Sequence, residues 1–214
     1  MFGQASSGES LNLYRRLSRE YRVRRLRLRI AGARPLNVII GAAQTSFPGW
    51  IQTDRSILDI TQPVDWGRLF KPDSIDRLLA EHVLEHLADS ECRIALGQAF
   101  RYLKSGGSLR IAVPDGYRRD AAYVAEVSPP NAGHKVLYNI DSLALLLESH
   151  GFKVTPLEYF DAQEQFHAHP WDEKEGFISR SIRFDRQTDF QRGEMFYTSL
   201  IADARKPICV ALPA

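Results

Sequence analysis

Apolar and polar positions along this chain alternate between short apolar runs and longer helical spacings, which predicts an α/β protein. An apolar run at 36–40 opens after Pro35 and reads as a first, central strand. Residues 50–54 give a second strand, 57–60 a short third element, and 65–70 a helical turn. Ile75 to Ala80 is too short for a helix and precedes the next apolar run by about thirty residues, the spacing of a parallel crossover unit. Between them, Ile94, Leu96, Ala99, Phe100 and Leu103 mark a helix over 89–103, expected to stop at Gly106-Gly107.

Beyond Asp115 the pattern loosens. Residues 117–127 have helical spacing, but the breaker cluster at 128–133 marks a lid or insertion, assigned to 116–139. Asp141 is the expected N-cap of a helix over 142–150 that packs through Leu143, Leu146 and Leu147 and ends at Gly151. A strand follows at 152–160. Residues 161–195 form a polar, aromatic insertion with a short extra strand at 181–185, and 197–204 reads as the last strand.

Length adds a bound: 214 residues suffice for one well-buried α/β domain, expected over 35–214 behind an extension at 1–34. No apolar run approaches the ~20 residues that span a bilayer, and the basic N-terminus lacks an apolar signal core, so a cytoplasmic protein is expected. Cys92 and Cys209 have no metal-ligand spacing and read as reduced, structural thiols.

The overall charge of +2 hides an asymmetry. Residues 1–34 hold nine arginines against Glu9 and Glu20, or +7, which leaves −5 on the rest. A basic amphipathic helix can touch anionic lipid or nucleic acid. The plainer reading is a helix docked on the acidic domain through a stripe of Leu13, Leu17, Tyr21, Arg24 and Leu28, and it is the one favoured here. The negative remainder would repel a phosphate backbone.

The candidate chemistry gathers at strand ends, where open α/β sheets hold ligands. The run Glu81-His82-Val83-Leu84-Glu85-His86-Leu87 closes one strand, and Val113-Pro114-Asp115 another. Together with Gly41-Ala42-Ala43-Gln44-Thr45, Pro48-Gly49-Trp50 and His134-Lys135-Val136-Leu137-Tyr138-Asn139, they resemble a group of predicted bacterial S-adenosylmethionine (SAM)-dependent methyltransferases of the class I type. The resemblance covers residues 35–207. It implies a single doubly wound, mostly parallel Rossmann-like sheet with an antiparallel last strand, and SAM as cofactor; the methyl acceptor of that group is unassigned.

A sulfonium cofactor is itself the activated group, so such a site needs alignment, exclusion of water and a proton acceptor rather than a covalent nucleophile. Gly41, with Ala42 and Ala43, is the expected cofactor turn, because glycine lets a ligand approach the backbone. The usual acidic-x-Gly-x-Gly pattern is altered in Ile39-Ile40-Gly41-Ala42-Ala43. That alteration motivates an alternative, a catalytically silent domain binding a nucleotide-like ligand or a partner protein; a nucleic-acid modifier using the arginine helix is a third reading. Asp54 is the expected ribose acceptor and Asp59 an adenine partner, with Glu81 and His82 beside the methionine half.

His82 is the first candidate base, with His134 as a second on the lid. Asp115, His134 and Tyr138 are expected to meet a small polar acceptor, a saccharide hydroxyl being the leading choice. His86 is expected to pack at a helix start on Leu103. The four-residue spacings of His82 with His86 and of Glu81 with Glu85 resemble metal ligands, but no third ligand cluster accompanies them, so no metal is expected.

Overall fold

The computed structural model describes residues 7–184 and 199–208; Asp185, Arg186, Tyr197 and Cys209 lie outside the described residues. Seven strands form one mixed sheet in the order β2-β1-β3-β4-β7-β5-β6. They are β1 (Asn37–Ile40), β2 (Trp50–Gln52), β3 (Ile75–Glu81), β4 (Leu103–Pro114), β5 (Lys153–Phe160), β6 (Phe166–Ala168) and β7 (Ser199–Arg205). Strands β2, β1, β3 and β4 run parallel, whereas β7 is antiparallel to both β4 and β5. This is the α/β, Rossmann-like sheet with an antiparallel last strand that the sequence predicts.

Among the described residues five α-helices accompany it: α1 (Ser7–Gly32), α2 (Pro63–Leu69), α3 (Asp89–Tyr102), α4 (Ala121–Val127) and α5 (Ile140–Glu148). Buried residues of α1, α2, α3 and α5 join one cluster with Val38, Ile40, Leu78, Ala80, Leu109 and Ile111 of the strands. The alternate strand residues Ile39, Leu79, Ala112 and Ile201 face the other way, onto Leu157 and Ile178, with Phe47 and Trp171 at the margin. The connection from β1 to β2 is too short for a full helix, and the polar insertion covers that second face. Arg110 of β4 anchors it: Nη1 donates to the carbonyls of Asp172 and Gly176, while Nε and Nη2 hold Asp203 at 2.7 and 2.8 Å.

Several local expectations are corrected. The glycine pair does not stop α3, which passes into β4 at Leu103. Register instead slips between Ile75↔Leu103 and Arg77↔Ser108, and Gly106 (φ +78°) and Gly107 take up the extra residues. A Cβ on Gly107 would stand 3.0 Å from the carbonyl oxygens of both Asp76 and Lys104, so a side chain there would crowd two backbone groups. Asn139, not Asp141, caps α5: its side chain accepts from the Ser142 N–H, and the Ser142 hydroxyl accepts from the Asn139 N–H. Residues 57–60 are turns rather than an element, the described part of 181–185 is a turn, and the extra strand of the insertion is β6.

Helix α1 docks as the plainer reading holds, but on a different face. Val23, Leu26 and Ile30 are buried, while Leu17, Tyr21 and Leu28 are exposed. The arginines between them also point to protein partners: Arg19 reaches Asp65 and the Ser56 carbonyl, Arg22 the Ser56 hydroxyl, and Arg27 the Arg68 carbonyl. No helix among the described residues is long and apolar enough to cross a membrane.

Candidate active site

A cavity of about 290 Å³ opens beyond the carboxyl ends of β1 and β3. Gly41, Asp59, Ile60, Thr61, His82 and Val83 line it together with Arg55, Leu58, His86, Leu87, Glu91 and Lys135. Gly41 sits at φ +64°, and a Cβ there would come within 2.6 Å of Val83 Cγ2, so both the turn and its close neighbour require glycine. The turn is tied to the next strand by the Ala42 N–H donating to the Thr53 carbonyl at 2.8 Å. Ala43 also adopts positive φ, at +46°.

The wall at 59–61 is fixed from below. Asp59 Oδ1 accepts from the Thr61 N–H and hydroxyl, and Oδ2 from Arg55 at 3.3 Å. Burial pulls the Asp59 carboxyl upward, but these hydrogen bonds outweigh it and hold it below the usual range. Trp66 Nε1 donates to the Ile60 carbonyl, and Asp65 Oδ2 accepts from the Asp59 N–H. Asp54 lies off the cavity lining; its Oδ1 caps the local turn by accepting from the Ser56 N–H and hydroxyl.

At the end of β3, His82 holds a strained φ of +54°, a conformation that non-glycine residues adopt rarely and often at functional sites. Its Nδ1 stands 2.9 Å from Glu85 Oε1 and its Nε2 2.9 Å from the Ser199 hydroxyl. Glu85 is fully buried. Glu81 Oε1 accepts from the Ser179 hydroxyl and the Arg180 N–H, tying the polar insertion to this edge. Its Oε2 is buried without a hydrogen-bond partner among the described residues.

The residues expected to meet the acceptor separate. Asp115 is buried and spends its oxygens on the backbone N–H groups of Tyr117 and Phe160. Tyr138 is a core residue whose hydroxyl lies 3.6 Å from Cys92 Sγ; burial pushes its phenol well above the usual value. Neither lines the cavity. His134 is buried, with Nδ1 2.7 Å from the Val127 carbonyl, and its ring lies 5.0 Å from that of His86. His86 is exposed against His134 rather than packed in a helix start. Lys135 enters the cavity wall by pairing with Glu91 at 2.8 Å.

Sequence reasoning missed Ser199 and Glu91 as site residues, since contacts between distant segments leave no local spacing. Glu85 was visible in the motif, but its pairing with His82 was not.

The glycine turn after β1 and the cavity at the carboxyl edge of the sheet belong to a class I, Rossmann-like transferase fold. A model of the methyltransferase domain family matches residues 43–157, more than half of the chain, and the chain belongs to that family. It is a SAM-dependent methyltransferase. No curated protein is significantly similar in sequence.

Solved structures with similar folds include a SAM-dependent methyltransferase from Archaeoglobus fulgidus, 15% identical over 88% of this chain and 94% of that one, with a TM-score of 0.47. An O-methyltransferase family protein from Burkholderia thailandensis is 14% identical over 92% of this chain and 60% of that one, TM-score 0.47. A Haemonchus contortus phosphoethanolamine N-methyltransferase, in complex with phosphomonomethylethanolamine and S-adenosylhomocysteine, is 14% identical over 80% and 48%, TM-score 0.42.

Proposed function

We propose that this methyltransferase acts on an oxygen of a small polar acceptor, a saccharide hydroxyl, with His82 as the proton acceptor. The observation that carries this reading is the hydrogen-bonded series Glu85, His82, Ser199. A carboxylate accepts the Nδ1 proton, which leaves the lone pair on Nε2, where the Ser199 hydroxyl donates. An acceptor hydroxyl that takes the place of Ser199 at Nε2 meets the same lone pair. Its proton would pass to Nε2, its oxygen would form the bond to the methyl carbon, and the methyl–sulfur bond of the sulfonium would break, leaving a neutral thioether. Glu85 keeps the imidazole in the required tautomer, and Ser199 marks the direction of approach.

The residues suit the cofactor. Gly41 supplies the turn on the cavity lining, flanked by the small Ala42 and Ala43, and Asp59 a carboxylate on the wall; Glu81, off the lining, keeps one buried oxygen without a hydrogen-bond partner among the described residues. Leu58, Ile60 and Leu87 offer apolar surface for a flat base. When bound, SAM supplies a methyl activated by its sulfonium, so proximity and one proton acceptor suffice. We read 35–214 as the catalytic domain, with 116–139 as its cover over the acceptor and 1–34 as a docked extension.

The test is methyl transfer from labelled SAM to a panel of monosaccharides and nucleotide sugars. His82→Ala should lower turnover by about 10²–10⁴-fold while leaving S-adenosylhomocysteine affinity almost unchanged, since a base acts in the transition state and contributes little to ground-state binding. Near wild-type turnover in that variant would refute the assignment. Transfer to amines but to no hydroxyl in the panel would overturn the acceptor class.

A further inference from the structure

Glu85, His86 and His134 converge from two segments that the sequence separates. One ligand atom from each lies within 4.8 Å of the others. The two segments are joined at this point by backbone, with the Lys135 N–H donating to the Glu85 carbonyl at 2.7 Å. His82, whose spacing to His86 resembles a ligand pair, is turned away to Glu85 and Ser199.

Three features make this cluster a site rather than a coincidence of polar groups. First, both imidazoles are set in the same way: Nδ1 of His86 stands 3.2 Å from the Gly133 carbonyl and Nδ1 of His134 2.7 Å from the Val127 carbonyl. A carbonyl only accepts, so in the neutral rings Nδ1 carries the proton and Nε2 the lone pair. Metal-ligating histidines are fixed in this manner, with the far N–H given to a carbonyl or carboxylate. Second, Glu85 is fully buried, and its Oε2 has no hydrogen-bond partner among the described residues. A buried carboxylate oxygen left in that state is costly, and a cation removes the cost. Third, the donor set of two imidazoles and one carboxylate is that of open zinc sites with three protein ligands.

We infer that Glu85, His86 and His134 bind a divalent first-row transition cation, for which Zn²⁺ is the natural probe. Imidazole nitrogen favours such ions over Mg²⁺ and Ca²⁺, which take oxygen ligands. Bonds of about 2.1 Å in a tetrahedron place ligand atoms about 3.4 Å apart, so the cluster must close slightly on the ion. His86, exposed on the short turn Leu84–His86, can supply that movement. Glu85 then serves two neighbours, His82 through Oε1 and the cation through Oε2. His86 also lines the cavity, so the remaining coordination position is available to water or, under the oxygen-acceptor reading, to the acceptor itself. Cation binding itself stands independently of that reading.

The test is calorimetric titration of the metal-stripped full chain with Zn²⁺, paired with the visible spectrum after Co²⁺ addition. One equivalent of Zn²⁺ should bind at micromolar or tighter affinity, and Co²⁺ should give the intense d–d bands of a four- or five-coordinate site. His86→Ala, at an exposed position, should weaken Zn²⁺ binding at least tenfold with an unchanged circular dichroism spectrum, and His134→Ala should act in the same direction. His167→Ala, outside the cluster, should bind as the wild type does. Absence of stoichiometric Zn²⁺ binding, or binding unchanged in both His86→Ala and His134→Ala, would overturn the site. S-adenosylhomocysteine titrated into the same samples reports the cofactor site separately, so loss of one is distinguishable from loss of the other.

Discussion

Arg19 of α1 and Asp65 of α2 meet at a single guanidinium nitrogen, with Nη2 2.8 and 2.9 Å from the two carboxylate oxygens. Asp65 also receives the Asp59 N–H at 3.1 Å, so the basic helix is coupled to the wall of the cavity. Arg19, Arg22 and Arg27 act here as docking groups. Leu26→Ala should therefore cost about 2–4 kcal/mol, as for other large-to-small changes in a core. Leu28→Ala, at a position 71% exposed, should stay within about 0.5 kcal/mol. Urea unfolding of the two variants decides between the observed docking face and the stripe that spacing alone suggests; the reverse order would contradict the docked helix.

Arg110 and Asp203 pose a sharper test of the second sheet face. Arg110 is 1% exposed and lies 4.7 Å from the Trp171 ring centroid as well as against Asp203. Asp203→Ala leaves that guanidinium without its counter-charge and should destabilise the protein by about 3–5 kcal/mol. Because Arg110 also holds the carbonyls of Asp172 and Gly176, proteolytic cutting within 169–184 should quicken in the same variant. Unchanged proteolysis would show that the insertion is held by other contacts.

Asp115 predicts a pH dependence. Burial pushes its carboxyl from 3.8 up to about 6, against the Phe160 and Tyr117 N–H groups that favour the charged form. A raised pKa means that the folded chain holds this proton more tightly than the unfolded chain. The contribution is full below 3.8 and is lost as pH rises through about 6. Its size is about 2–3 kcal/mol. Asp115→Asn does not titrate, so its thermal midpoint relative to wild type should climb between pH 4 and 6. A constant difference across that range would contradict the buried, proton-holding carboxyl.

The parallel core was legible because β1, β3 and β4 are apolar runs at crossover spacing. The docking face of α1 was not, because Leu17, Tyr21, Val23, Leu26, Leu28 and Ile30 are interleaved with arginines around the helix; the partner surface decides which apolar residue is covered. Asp141 and Asn139 are equally good caps by residue type, and only the chain path into α5 separates them. At the site, Gly41 and His82 could be found from strand ends, and Asp59 from the short apolar run before it. His134 with His86 could not, since that contact depends on how the segment at 128–138 returns to β3; Glu85 with His82 is a local pair three residues apart whose geometry is set by the positive φ of His82. Asp115 and Tyr138 carried polar groups that folding turned inward.

The central claim is that the cavity at Gly41, Asp59 and His82 holds SAM, and calorimetric titration of the full chain with S-adenosylhomocysteine tests it most directly. Saturable binding at one site is expected. Asp59→Ala should weaken it by about 1–3 kcal/mol through loss of a charged hydrogen-bond acceptor on the wall. Absence of heat at millimolar ligand, or an affinity indifferent to Asp59→Ala, would contradict the placement of the cofactor in this cavity.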